Sequence, residues 1–214
     1  MSVTASLTSF IDFNCVLGPQ RIRVPAGLRA MYDDPTRHPW AYYGPMIEAI
    51  RGGLAAGNLP ERLERATADA ETRVTDGWFR GQWRHYRELS EGALLLSHRV
   101  GPVTVFPVPT GSWTHGELTL RVSPQLGVQR RDGRREAWFL YPKERPLAQA
   151  TADAALLVLS DVLGAAGSDL VPRVVDIRRS TGFVLSRNRS LATLSAYVAG
   201  EAEMFARFWE LSAA

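Results

Sequence analysis

The chain has a single lysine, Lys143, and the remainder of its 25 basic residues are arginine. An ammonium on a flexible aliphatic stem attracts phosphate or positions a metal-bound water. Around it, residues 121–145 hold Arg121, Arg130, Arg131, Arg134, Arg135 and Arg145 against only Asp132, Glu136 and Glu144. Such an excess suits phosphate contact, although arginines at a hairpin tip also serve simply as solubilising residues. Other chemistries lack their residues. The four histidines, His38, His85, His98 and His115, have no metal-ligand spacing, and the lone Cys15, set among apolar neighbours, reads as a structural thiol. There is no GK[ST] phosphate loop, no GxGxxG after a strand and no GxSxG elbow. Carboxylates, arginines and Lys143 are the chemical groups that remain.

These groups need a scaffold, and 214 residues with 45% hydrophobic content can bury a real core. A formal charge of +3 and the absence of a long apolar run point to a cytoplasmic protein with no membrane span and no classical secretion signal. The strongest strand signal lies in residues 113–143. Leu118, Leu120 and Val122 alternate with Glu117, Thr119 and Arg121, ending at Pro124. Leu126 to Val128 starts a return strand, Asp132-Gly133 marks a turn, and Ala137 to Tyr141 is apolar on both faces, as in a covered central strand. The stretch reads as two or three adjacent strands.

Elsewhere the patterns predict a first helix over 8–16, an edge strand at Arg21 to Val24, and an irregular, aromatic-rich segment over 31–45 that suits a ligand-facing loop. Helices are expected from Tyr43 to Leu54, from a capping box at Asn58 and Glu61 to about Ala70, and over 77–90. In the last of these, Trp78 and Trp83 are either base-stacking residues or part of a core face. Ala93 to Leu96 and Val103 to Phe106 read as strands, 146–163 as a helix, Val171 to Ile177 and Gly182 to Leu185 as strands, and the chain from Ser190 as a helix with Gly200 weakening its middle. The expected fold is α/β or α+β, one domain over 1–214 with a central mixed sheet flanked by helices. Residues 1–92 form its mainly helical portion and 93–214 its sheet-containing portion.

Over residues 45–185 this order of elements resembles the core of the PD-(D/E)xK nuclease-like superfamily. The segments Val122 to Val128 and Trp138 to Lys143 are also similar to a stretch of uncharacterised bacterial proteins. The resemblance implies a restriction-endonuclease-like core, carboxylates that hold Mg²⁺, and a lysine near the nucleophilic water. Carried over, Lys143 takes the lysine position, with Glu48 the early-helix acid and Glu117 a strand acid. Glu48 and Glu117 are thereby the candidate metal ligands, joined by Asp176 as a strand-end carboxylate, which equally suits a salt bridge with Arg178 or Arg179. Arg121, Arg130, Arg131, Arg134 and Arg135 are the candidate nucleic-acid contacts. The motif is incomplete: Gln125 lacks a charge, and Tyr141 stands where Asp or Glu belongs. Glu136 cannot substitute, since continuous strand periodicity turns it the other way.

The leading expectation is therefore a DNA- or RNA-binding protein of degenerate nuclease-like fold, with Mg²⁺-dependent hydrolysis as its active form. The second is a noncatalytic binding or assembly protein with an aromatic surface from Trp40, Tyr42, Tyr43, Trp113, Phe205, Phe208 and Trp209, its partner left open and a homodimer among the expectations. The third is a small-molecule enzyme with Tyr141, His115 and the Asp33-Asp34 loop around a closed pocket.

Overall fold

Period-two alternation produces short strands and apolar stripes at three- and four-residue spacing produce helices, as a computed structural model describing residues 2–32, 34, 39–73, 79–188 and 190–212 shows. In chain order these are β1 (Val3–Ser6), α1 (Leu7–Asn14), a 3₁₀ turn (Gly18–Ile22), α2 (Arg23–Tyr32), α3 (Pro39–Ala56), α4 (Leu59–Thr72) and α5 (Gln82–Val100). There follow β2 (Thr104–Phe106), β3 (Gly111–His115), β4 (Leu118–Val122), β5 (Leu126–Gln129), β6 (Arg135–Tyr141), α6 (Gln149–Ala165), β7 (Val171–Asp176), β8 (Thr181–Phe183) and α7 (Leu191–Leu211). The fold is α+β, a single compact domain with two mixed sheets.

The larger sheet has the order β2-β5-β6-β7-β8, antiparallel except that β6 and β7 run parallel. A parallel pair needs a crossover, which α6 supplies. Because β6 is covered on both sides, its residues divide by parity between two cores. Ala137, Phe139 and Tyr141 join α1, α6 and α7 in one, while Trp138 and Leu140 join α3, α4 and α5 in the other. The smaller sheet, β1-β4-β3, pairs β1 with β4 in parallel and lies on the α6 and α7 side.

The alternation of Leu118, Leu120 and Val122 holds, and all three are buried. The strands around them are not all neighbours, however. β4 belongs to the smaller sheet and β5 to the larger, with Ser123-Pro124-Gln125 as the joint between them. Ala93 to Leu96 is the C-terminal half of α5, not a strand. Its buried positions, Gln82, Tyr86, Leu89, Ala93 and Leu96, keep helical spacing, whereas Leu94 and Leu95 are exposed. Arg21 to Val24 is likewise helical, and Pro25 sits in the first turn of α2, where a missing N–H costs nothing.

The helix expected from Tyr43 begins earlier, at Pro39, and Pro45 lies inside it. Beside that proline the Tyr42 carbonyl accepts from Gln82 Nε2 at 2.6 Å and from the Tyr86 hydroxyl at 2.8 Å. Asn58 occupies the N-cap position of α4 without capping it, since its side chain accepts from Arg62 Nε instead. The helical N-terminal portion also contains a strand, β1, and α5 carries its helical character to Val100. Asp33, Trp78, residues 35–38 and the side chain of Trp40 lie outside the described residues.

Candidate functional site

The two cores separate at the C-terminal end of β6, leaving an open cleft of about 900 Å³. One wall comes from α1 and α2, including Leu28 and Tyr32, and the other from Tyr42, Tyr43 and Ile47 of α3. Gln125, Leu140, Pro142 and Lys143 form the floor, with Arg121, Glu144 and Arg145 at its edges. Three cations thus face the same space as two carboxylates and three tyrosines.

At the floor stands a polar group that no local motif announces. Asp12, on α1, accepts the Tyr141 hydroxyl through Oδ1 at 2.9 Å and pairs with Lys143 Nζ through Oδ2 at 3.5 Å. Tyr141 is fully buried, and burial, reinforced by the Asp12 charge, pushes its phenol well above the ordinary range, so it acts as a neutral donor. Cys15 Sγ lies 4.0 Å from the same hydroxyl, and burial raises its thiol too, which opposes thiolate chemistry. Lys143 Nζ also sits 5.4 Å from the centre of the Tyr43 ring, at cation–π range.

The α3 wall is backed by a second polar group. His85 Nδ1 is 3.0 Å from Arg178 Nη2 and 3.1 Å from Glu144 Oε1. Arg178 only donates, so in this contact Nδ1 accepts and the ring is neutral. Burial, then the Arg178 charge, lower the His85 pKa and favour that state. Arg178 also pairs with Glu88 and donates to the Pro142 carbonyl at 2.8 Å, fixing the chain just before Lys143. Burial raises the phenols of Tyr32 and Tyr43 and pushes that of Tyr42 up to about 12. All three are neutral at physiological pH.

The candidate residues from the sequence do not converge. Lys143 lines the cleft, whereas Glu48 is exposed, paired with Arg51, and borders a groove between α3 and α4. Glu117 is at the exposed β3–β4 turn and lines neither. Asp176 is buried and accepts from Arg179 Nη1 at 3.1 Å and from the Leu147 amide at 3.3 Å, tying two loops together. Of the five candidate arginines, Arg121 alone reaches the cleft. Arg130 and Arg173 pair with buried Glu136, at 3.0 and 2.9 Å. Arg134 pairs with Asp132 and Arg135 with Asp169, while Arg131 is exposed on the same hairpin. That hairpin is at the far end of β6 from Lys143, roughly 20 Å along the strand.

Nor do the residues around Lys143 fit the Mg²⁺ site that the resemblance implies. Both Asp12 oxygens are engaged, Gln125 gives its amide oxygen to the Leu140 amide at 2.6 Å, and Glu144 lies against His85. Among the described residues no three His, Cys, Asp or Glu side chains group to hold a metal ion.

Among the described residues, the aromatic side chains of the second expectation do not form one surface. Phe205 is buried against Phe13, Phe208 packs beside them, and Trp113 stacks on His115. His115 pairs with Glu203, away from the cleft. Trp83 is half-buried against the helical core with Arg87 over its ring. No described helix is long and apolar enough to cross a membrane. Compared with known proteins, the chain matches no family model and no curated relative.

Proposed function

We propose that the chain binds nucleic-acid phosphodiesters, without hydrolysing them, in the cleft at the C-terminal end of β6. The observation that carries this reading is the shared exposure of Lys143, Arg121 and Arg145 to one cleft that also presents Tyr32, Tyr42 and Tyr43. Cations hold phosphate oxygens and tyrosine faces accept bases. The sheet order β2-β5-β6-β7, with α5 before it and α6 as the parallel crossover, supports the nuclease-like resemblance. Against hydrolysis stands the chemistry at the motif itself, where Tyr141 donates to a carboxylate borrowed from α1.

The test is fluorescence anisotropy of labelled DNA and RNA across a salt series, alongside a cleavage assay with Mg²⁺ or EDTA. The reading requires binding that weakens as salt rises, a smaller salt slope for Lys143→Ala, and intact nucleic acid throughout. Cleavage that EDTA and Lys143→Arg both abolish would overturn its noncatalytic half. Absence of binding at low salt would overturn all of it.

A further inference from the structure

Resting on the phosphodiester reading, we infer that the cleft takes an unpaired strand and discriminates against a duplex. Its two walls belong to different cores, and each presents an aromatic ring: Tyr32 on α2, 47% exposed, and Tyr43 on α3. A duplex keeps its bases stacked inside and offers such rings only phosphate and sugar. An unpaired strand can turn a base onto a tyrosine face while its phosphates meet cations, the pattern by which single strands are held.

The placement of charge agrees. Arg121, at the end of β4, and Arg145, beyond β6, line the cleft at its edges, whereas Lys143 lies deeper, beneath the Tyr43 ring and tied to Asp12. Backbone phosphates are thus met at the rim and a base within. The Tyr42 ring sits edge-on to Tyr43, with centroids 4.7 Å apart and planes at 72°, which fixes the orientation of the Tyr43 ring. A cleft of about 900 Å³ has room for a few nucleotides. DNA and RNA share this chemistry.

The experiment compares one short labelled sequence as single-stranded DNA, single-stranded RNA and blunt duplex, by anisotropy at low salt. At least one single strand should bind about ten-fold tighter than the duplex, the worth of one stacked base. Tyr43→Leu, and separately the half-exposed Tyr32→Leu, should bring that strand down towards the duplex level, while Tyr43→Phe retains its affinity. Circular dichroism verifies that each variant is folded. Equal or tighter binding of the duplex overturns this inference and leaves the phosphodiester reading standing, as do leucine variants that bind single strands like the wild type. Failure of every nucleic acid to bind overturns both.

Discussion

Asp12 and Tyr141 are 129 residues apart in sequence and share a 2.9 Å hydrogen bond at the floor of the cleft. The bond joins α1 to the C-terminal end of β6, two residues before Lys143. Its two partners are unequally placed, since the phenol is sealed from water and the carboxylate is partly open.

That asymmetry orders two substitutions. Asp12→Ala strands a buried hydroxyl and should cost about 1–3 kcal/mol. Tyr141→Phe leaves a carboxylate still served by Lys143 and water, and should cost about 1 kcal/mol. Urea denaturation measures both, and the reverse order would contradict the assignment. Asp12→Asn, which retains an acceptor for Tyr141 and removes a negative charge beside Lys143, should bind oligonucleotide more tightly than wild type.

Glu136 is 3% exposed and held by Arg130, Arg173 and Trp138 Nε1. Burial alone would raise its pKa, but the Trp138 and Arg173 hydrogen bonds and the two positive charges together lower it. A carboxylate with a depressed folded pKa contributes stability above its ordinary value of 4.5, and that contribution disappears as pH falls through the folded value. Thermal melts below about pH 4.5 should therefore lose less stability in Glu136→Gln than in wild type. Glu136→Ala, which leaves two arginines facing a void, should cost about 3 kcal/mol at neutral pH.

His85 has a dependence of the same sign at higher pH. Its folded pKa lies below the ordinary 6.5, so the unfolded chain binds the proton more readily. Its contribution is complete above 6.5 and falls away as pH drops towards the folded value. Protonation also exchanges the Arg178 contact at Nδ1 for Glu144. His85→Gln, which offers Arg178 an oxygen, should show a smaller loss of melting temperature between about pH 7.5 and 5.5. Equal slopes for the two proteins would rule His85 out as the titrating group.

Two helical glycines should respond in opposite directions. A Cβ on Gly92 would stand 1.9 Å from the Ile177 carbonyl oxygen, and Ser180 Oγ donates to the Gly92 carbonyl at 2.7 Å. Helix α5 therefore approaches the β7–β8 turn too closely for any side chain there. Gly92→Ala should destabilise by about 1–3 kcal/mol despite alanine's better helix propensity. Gly200, exposed on α7 with nothing near its Cβ position, should gain roughly 0.5–1 kcal/mol as alanine. Melting curves of the two variants provide the check.

Where burial follows a local period, the sequence was legible. Leu118, Leu120 and Val122 alternate because one face of β4 is covered, and Ala137 to Tyr141 is apolar throughout because both faces of β6 are. Ala93 to Leu96 misleads because Leu94 and Leu95 are apolar yet exposed, which erases the helical stripe over four residues. Arg21 to Val24 alternates by chance, with Arg21 held by Glu201 on α7. The candidate site was legible at Lys143, at Arg121 and at the tyrosines of residues 31–45, although these tyrosines lie on helices α2 and α3 and not on a loop. Asp12 left one faint signal, as the lone acid in the apolar stretch from Leu7 to Val16, and its partner is set by tertiary packing alone.

The parallel pairing of β1 with β4 bears on how the molecule is made. Val3 pairs with Leu118, and α1 packs on α6 and α7, so β1 and α1 are synthesised well before the partners that seat them. The α3, α4 and α5 helices contact one another in sequence order and can associate while the chain is still growing. One wall of the cleft is thus built early from neighbours. The other waits, with β1 unpaired, until β4, α6 and α7 have followed it out of the ribosome.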